Sequence, residues 1–201
     1  MIPWMQQTIA WFGWGHGIGA VIGISAILTM FVIVAPVAAG MLLYGLERLQ
    51  IKLLGSFNYS FALFFVNYVT FPGTFVHEMS HLCLGVISGA EVNEICMFES
   101  RCGRLGHIGY RRRGPRYIQA LQEALISVAP TVTGFAIAAF LLNKIFSEHF
   151  DLWKQIILWY LVVSLIDHAT MSDSDLKGYF WGAWSLILPI MVLFTTLGLL
   201  A

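Results

Sequence analysis

Long runs without a charged side chain constrain the fold of this protein more than any other feature of its sequence. The first run covers residues 17–46. A bilayer core about 30 Å thick takes roughly 20 helical residues to cross, so such runs predict membrane-spanning helices. The other runs are Leu53–Val76, which continues past two histidines to Ala90, then Ala124–Asn143, the short Gln155–Ile166, and Gly178–Ala201.

The composition indicates the same class of protein. Hydrophobic residues make up 58% of the chain and charged residues only 11%, whereas soluble domains average about 25% charged residues. We therefore expect an all-α, multi-pass integral membrane protein with five to six transmembrane helices. No polar stretch is long enough for a second globular domain, so residues 1–201 are predicted to form one domain. Near the start, Trp4, Trp11 and Trp14 predict an aromatic belt at the membrane interface.

The one sizeable polar segment, residues 91–116, carries six arginines against three glutamates. Its two halves mix polar residues with β-branched or aromatic ones, and turn-forming residues lie between them. This pattern predicts a small β-hairpin on the membrane surface. By the positive-inside rule the segment is expected to be cytoplasmic, with its arginines serving as an orientation signal and as contacts to lipid headgroups.

The stretch from Gly55 to Ala90 predicts a broken helix. As one continuous helix it would be roughly 50 Å long, which exceeds the apolar thickness of a bilayer. Pro72-Gly73 is the expected break, because proline removes a helix hydrogen bond and suits the first turn of a new helix. We expect that helix to start near Thr74 and to hold the histidines in its first two turns.

The sequence HEMSH, residues 77–81, matches the pattern H-E-x-x-H. Residues four apart share one face of a helix, so His77 and His81 can reach one metal ion while Glu78 lies beside it. Two histidines suit zinc, and a third protein ligand would leave the fourth position for water, with Glu78 as the general base. Ionisable residues at membrane depth are costly and usually mark function, so this interpretation is favoured over a packing role.

A third ligand must come from elsewhere in the chain. The segment 166–178 adjoins a hydrophobic run and offers Asp167, His168, Asp173 and Asp175, any of which could complete the site. Asp173 is also a good candidate for a helix cap, because a hydrophobic run begins just beyond it. His168 could instead support the metal ligands from outside.

With these features the chain resembles the site-2 protease family of intramembrane zinc metalloproteases, in particular its compact members. The resemblance rests on HEMSH in a hydrophobic helix, the short hairpin, the middle span with ISVAPTVTG, and a later span bearing an aspartate, and it covers residues 57–180. It implies a single zinc ion bound by His77, His81 and a distant aspartate, with Glu78 as catalytic base. The segment SDSDLKG points to Asp175 as that aspartate.

The resemblance also implies a substrate-holding role for the middle span, at Pro130, Thr131 and Thr133. Many family members have glycine-proline and a nearby asparagine there, whereas this chain keeps only the proline. A kink in a transmembrane helix is the other interpretation of Pro130.

The expected function is therefore an endopeptidase that hydrolyses peptide bonds in or near transmembrane segments of membrane proteins. The alternative is a membrane metal-binding protein or transporter without enzymatic activity, with His77, His81 and His168 along an ion path. The expected partners are a membrane-protein substrate and the bilayer, with no nucleic acid. The sequence leaves the oligomeric state open.

Overall fold

The computed structural model describes residues 18–101 and 104–200. The three tryptophans expected at the interface lie outside these residues. Within them, helices dominate and a single hairpin interrupts them. The elements in chain order are α1 (Ile18–Phe57), α2 (Tyr59–Phe64), a π-helical segment (Phe65–Val69), α3 (Phe71–Ile87), β1 (Glu91–Arg101), β2 (Arg104–Arg111), α4 (Arg116–Ser147), α5 (Leu152–His168), α6 (Asp173–Gly182) and α7 (Trp184–Leu200).

The apolar helices agree with the class of multi-pass membrane protein, but the described residues contain fewer candidate spans than the five to six predicted. By length and composition α1 and α4 can each cross a membrane. Two further spans arise only if each bent pair counts as one: the helical segments on either side of a 60° bend before α3, and α5 with α6 across a bend of 64°. The count falls because these breaks divide the apolar runs and α7 is short.

Helix α1 is longer than the charge-free run that predicts it. It continues past residue 46 to Phe57 and includes Glu47, Arg48 and Lys52. Charged residues end an apolar run but not a helix, since glutamate, arginine and lysine are good helix formers. The end of α1 is consequently polar, unlike its beginning.

The predicted break in the second hydrophobic stretch is present, slightly earlier than expected. Helix α3 starts at Phe71 with Pro72 in its first turn, and the chain bends at Thr70. His77 and His81 therefore lie about two and three turns into α3, deeper than the first two turns.

The start of α3 packs closely on α5 through a glycine. The backbone N–H of Gly73 donates to Ser164 Oγ at 2.8 Å, and that hydroxyl donates to the carbonyl of Thr70 at 2.8 Å. A Cβ at Gly73 would lie 2.0 Å from the backbone oxygen of Ser164. Only glycine allows the two backbones to come this close, and the contact fixes the position of α3 against α5.

The predicted hairpin is present as an antiparallel pair, with Val92 opposite Tyr110 and Ile95 opposite Ile108. It lies against α3, because a Cβ at Gly106 would be 3.1 Å from Glu78 Cγ. Gly106 has a φ of +83°, a conformation that glycine adopts without strain. The backbone of β2 thus forms one wall beside the HEMSH segment.

Helix α4 lies at the centre of the fold and fixes α6. A Cβ at Gly182 would lie 2.2 Å from the carbonyl oxygen of Ala120, so the two helices touch along their backbones. A hydrophobic core that joins α1, α4, α6 and α7 surrounds this contact. Its buried members are Ile33, Val37, Ala124, Met171, Tyr179 and Leu186.

Candidate metal centre

Three ligand-type side chains from two distant segments meet in the interior. His77 and His81 lie one turn apart on α3, and Asp175 lies in the first turn of α6. His77 Nε2 is 3.2 Å from His81 Nε2, which is 3.5 Å from Asp175 Oδ1. One ligand atom from each residue lies within 4.8 Å of the others, so the three could hold a metal ion.

Both imidazoles are oriented by backbone carbonyls. His77 Nδ1 lies 2.8 Å from the carbonyl oxygen of His168, and His81 Nδ1 lies 2.9 Å from that of Ile126. A carbonyl only accepts, so each Nδ1 must donate and carry the hydrogen. Each ring is left with Nε2 to bind a cation, an arrangement found for most metal-ligating histidines.

The carboxylate of Asp175 is held through its other oxygen. Asp175 Oδ2 accepts from the backbone N–H of Ser172 at 2.9 Å and from its hydroxyl at 2.5 Å. Together with the bond from Asp175 N–H to Ser172 Oγ, this forms a capping box at the start of α6. Asp175 Oδ1 is the oxygen that faces His81.

The donor set and its spacing fit zinc. Two imidazole nitrogens and one carboxylate oxygen are ligands that zinc accepts, with a fourth position left for water. Two nitrogens bound at about 2.0–2.1 Å to one tetrahedral zinc lie about 3.3–3.4 Å apart, close to the 3.2 Å between His77 and His81. Two bare lone pairs at that distance repel, whereas a cation between them attracts both.

Glu78 lies where two cavities meet. Both cavities are lined by Glu78, His77 and Gly106. The first, the α1 cavity, runs towards the polar end of α1 and the π-helical segment, and its other polar lining residues are Tyr44, Glu47, Arg48, Tyr59, Asn67, Thr74, His168 and Thr170. The second, the hairpin cavity, runs between the hairpin, α4 and α6, and it is also lined by His81, His107, Ile108, Tyr110, Glu123, Ser172, Ser174 and Asp175.

The hairpin cavity contains a polar cluster that sequence reasoning missed. The side chain of Glu123 on α4 is 15% exposed, lines this cavity together with Tyr110, and lies 3.6 Å from Arg112 Nε. The Arg112 guanidinium also lies over the ring of Trp181 at 4.5 Å. Burial raises the pKa of Tyr110 above its usual value, and the nearby charge of Glu123 adds to this rise. The phenol therefore stays protonated at neutral pH.

The other candidate third ligands lie outside the group of His77, His81 and Asp175. Asp173 is exposed, and its Oδ2 is 3.3 Å from Arg48 Nη2, so the structure places it outside the group of three. His168 contributes its backbone carbonyl to His77, while its own Nδ1 lies 3.3 Å from the carbonyl oxygen of Ser164. Asp167 is adjacent to His168 and is not part of the group either.

The middle-span residues are not brought to the site. Among the described residues, neither Pro130 nor Thr131 nor Thr133 lines the α1 cavity or the hairpin cavity. Thr131 is buried against α1, because a Cβ at Gly40 would lie 2.8 Å from Thr131 Oγ1 and 2.5 Å from Met171 Cγ. Thr131 thus packs between α1 and the segment after α5.

One of the missed supporting residues has a local signal in the sequence. Ser172 and Asp175 have the spacing of a capping box, which identifies Ser172 as the partner of that carboxylate. The backbone carbonyls of Ile126 and His168 have no such signal in the sequence, since every residue has a carbonyl. Glu123 stands at the edge of the run that begins at Ala124, and an isolated acid in that position is the only hint of the polar cluster.

The chain was compared with protein-family models, with curated proteins and with solved structures, and none of them matches it.

Proposed function

We propose that this protein is an intramembrane zinc endopeptidase of the site-2 protease type, which hydrolyses peptide bonds in or near transmembrane segments of other membrane proteins. The observation that carries the proposal is the convergence of His77, His81 and Asp175 beside Glu78. Each histidine donates from Nδ1 to a carbonyl, His81 Nε2 lies 3.5 Å from Asp175 Oδ1, and one ligand atom of each of the three residues lies within 4.8 Å of the others. This is the donor arrangement of a three-ligand zinc hydrolase.

Zinc bound by these three residues would supply a Lewis acid and a water of near-neutral pKa. Glu78 is adjacent to His77 in the chain and lines both cavities, so it takes a proton from the attacking water and passes it to the leaving nitrogen. His77, His81 and Asp175 keep their positions through backbone and capping hydrogen bonds. The site is thus preorganised before substrate arrives.

A peptide must lose its helical structure to reach Glu78, because a helical carbonyl is shielded and already hydrogen-bonded. The hairpin lies beside Glu78 at Gly106 and offers strand backbone to which an unwound segment can pair. We therefore assign the hairpin to substrate binding and place it on the cytoplasmic side, as its arginines favour.

This function requires a multi-pass arrangement around the metal centre. We propose five crossings: α1, the bent pair ending in α3, α4, the bent pair α5 and α6, and α7. The pair ending in α3 and the pair of α5 and α6 are then the second and fourth crossings, so they run through the bilayer in the same direction. Both bring their ligands to the half of the bilayer that holds the hairpin. Both breaks are next to the site, where irregular backbone can line a cavity instead of facing lipid.

One observation favours a second candidate, a membrane metal transporter. His77 lines both the α1 cavity and the hairpin cavity, so polar lining residues lie on two sides of this histidine. An ion path needs ligands along such a space but has no use for a general base. Glu78 therefore separates the two functions.

The experiment is a comparison of purified parent protein with Glu78→Gln in liposomes that contain a panel of single-span membrane proteins. We expect the parent to bind about one zinc per chain and to cleave at least one substrate, and Glu78→Gln to keep the metal but lose cleavage. Glu148→Gln, at the exposed end of α4, is the matched control and should match the parent. Undiminished cleavage by Glu78→Gln would sink the mechanism, and zinc uptake into the liposomes without cleavage would establish the transporter.

A further inference from the structure

Thr74 lies on the same face of α3 as the residues of the candidate metal centre. It precedes His77 by three residues and Glu78 by four, and residues at these spacings are neighbours on a helix surface. Thr74 also lines the α1 cavity together with His77 and Glu78. It is therefore one helical turn from the groups that the proposed chemistry uses.

The hydroxyl of Thr74 is buried and has no partner. Thr74 is only 8% exposed, and its Oγ1 forms no hydrogen bond with any part of the chain that the structure describes. Buried polar groups are nearly always paired, because an unsatisfied one keeps the full cost of its removal from water. An unpaired hydroxyl on a residue that lines a cavity therefore indicates a ligand that binds there.

The packing of α3 explains why the helix itself does not satisfy this hydroxyl. A helical threonine commonly donates to the carbonyl four residues earlier, which here is that of Thr70. The Thr70 carbonyl already accepts from Ser164 Oγ at 2.8 Å and from the backbone N–H of Gly73 at 3.0 Å. A carbonyl has two lone pairs, so neither remains for Thr74.

The catalytic groups on this face of α3 have no hydrogen to offer a substrate. His77 and His81 donate from Nδ1 to backbone carbonyls, and under the proposed function Glu78 is a base. A segment unwound from a helix has carbonyl oxygens that have lost their N–H donors, and these are costly to leave unpaired in an apolar environment. Thr74 can donate to one of them.

The position of Thr74 along α3 indicates which carbonyl it meets. Four residues at 1.5 Å each separate it from Glu78 by about 6 Å along the helix axis. An extended peptide rises about 3.3 Å per residue. A segment that is cleaved beside Glu78 and extends along α3 therefore reaches Thr74 about two residues from the scissile bond.

We propose that Thr74 is a substrate-binding residue, whose hydroxyl donates a hydrogen bond to a backbone carbonyl of the unwound segment about two residues from the scissile bond. This inference rests on the proposed peptidase function and names how the half of the substrate in the α1 cavity is held.

The test combines two variants with backbone-modified substrates. Thr74→Val keeps the shape of the side chain and removes the hydroxyl, whereas Thr74→Ser keeps the hydroxyl. A synthetic hydrophobic peptide that spans a cleavage position mapped with the parent protein is prepared with single thioamide replacements near, but not at, the scissile bond. Each replacement weakens one carbonyl as an acceptor.

We expect Thr74→Val to lower kcat/KM about three- to tenfold, mainly through KM, with zinc content unchanged. Thr74→Ser should stay close to the parent. One thioamide, about two residues from the scissile bond, should lower kcat/KM of the parent by a similar factor and leave Thr74→Val no worse. Ser25→Ala is the matched control and should cleave like the parent, because it also removes a buried, unpartnered hydroxyl but lines neither cavity in the described part of the chain.

Parental kcat/KM in Thr74→Val would overturn the inference while leaving the peptidase intact. Equal responses of the parent and Thr74→Val to every thioamide would do the same, since a hydroxyl that binds only water gives that result. Loss of zinc from Thr74→Val would show that Thr74 supports the metal centre instead and would also overturn the inference. A parent without peptidase activity would remove the proposed function and this inference with it.

Discussion

Asp175 uses its two carboxylate oxygens for different purposes, and Ser172 makes that division possible. Ser172 donates to Asp175 Oδ2 from both its backbone N–H and its hydroxyl, at 2.9 and 2.5 Å. Asp175 Oδ1 is left 3.5 Å from His81 Nε2. The cap that begins α6 therefore also orients a candidate metal ligand.

Replacing Ser172 should weaken metal binding without removing a ligand. Ser172→Ala leaves the backbone N–H but deletes the hydroxyl that holds Asp175 Oδ2, and loss of such a supporting bond costs about 10- to 100-fold in metal affinity. Zinc affinity measured by competition with a chromophoric chelator checks this. Ser56→Ala, which removes an exposed hydroxyl on α1, should bind zinc like the parent. Equal affinities for the two variants would contradict the role given to the cap.

Substitutions of Asp175 and Asp173 should have very different effects on zinc binding. Asp175→Asn removes the only carboxylate in the group of three. It should lower zinc affinity by more than the about 100-fold expected for loss of a residue that only supports a ligand. Asp173→Asn breaks only an exposed pair with Arg48, so zinc content should not change and stability should fall by less than about 1 kcal/mol. Metal analysis of both purified proteins decides the third ligand. Loss of zinc from Asp173→Asn and not from Asp175→Asn would reverse the assignment.

Adding one methyl group at Gly73 should disturb the fold at the site. Its Cβ would meet the backbone oxygen of Ser164, which cannot move as a side chain can, so Gly73→Ala should lower the free energy of unfolding by about 1–3 kcal/mol and reduce bound zinc. Gly45→Ala is the matched control, because no atom lies within 4 Å of its Cβ position and alanine favours the helix. Unfolding in detergent followed by circular dichroism compares them, and equal stability would show that α3 and α5 can separate.

The middle span offers a test of the family resemblance itself. In the described part of the chain Thr131 Oγ1 has no hydrogen-bond partner and lies away from both cavities. Thr131→Val keeps the shape and removes a buried polar group, so cleavage should be unchanged and stability equal or slightly higher. Initial rates and the unfolding midpoint measure both. A several-fold loss of cleavage at parental stability would restore the substrate role that the resemblance implies.

Local patterns predict much of this fold. The charge-free runs predict the helices, Pro72 predicts the break before α3, and the alternation in residues 91–116 predicts the hairpin. These features depend on residues close in sequence, where periodicity and turn chemistry are informative. The end of α1 at Phe57 was missed because an apolar run measures lipid contact, not helix length.

Long-range contacts could not be read in the same way. HEMSH predicts two ligand positions by helix spacing, but residue reasoning alone leaves four candidates for the third. In the structure the two aspartates lie on different faces of the first turn of α6. Asp175 points inward and is held by the cap, whereas Asp173 points outward to Arg48. The cluster of Tyr110 and Glu123 joins a strand to a helix, and no local pattern reports that contact.

The length of α1 bears on how water reaches a buried site. At 1.5 Å per residue its 40 residues extend about 60 Å, about twice the apolar thickness of a bilayer. Its polar end carries Glu47 and Arg48, which line the α1 cavity together with Glu78. We expect that end to lie at the level of the lipid headgroups, so the cavity opens to the aqueous phase there. Under the proposed function, water would then reach Glu78 through the α1 cavity without crossing lipid.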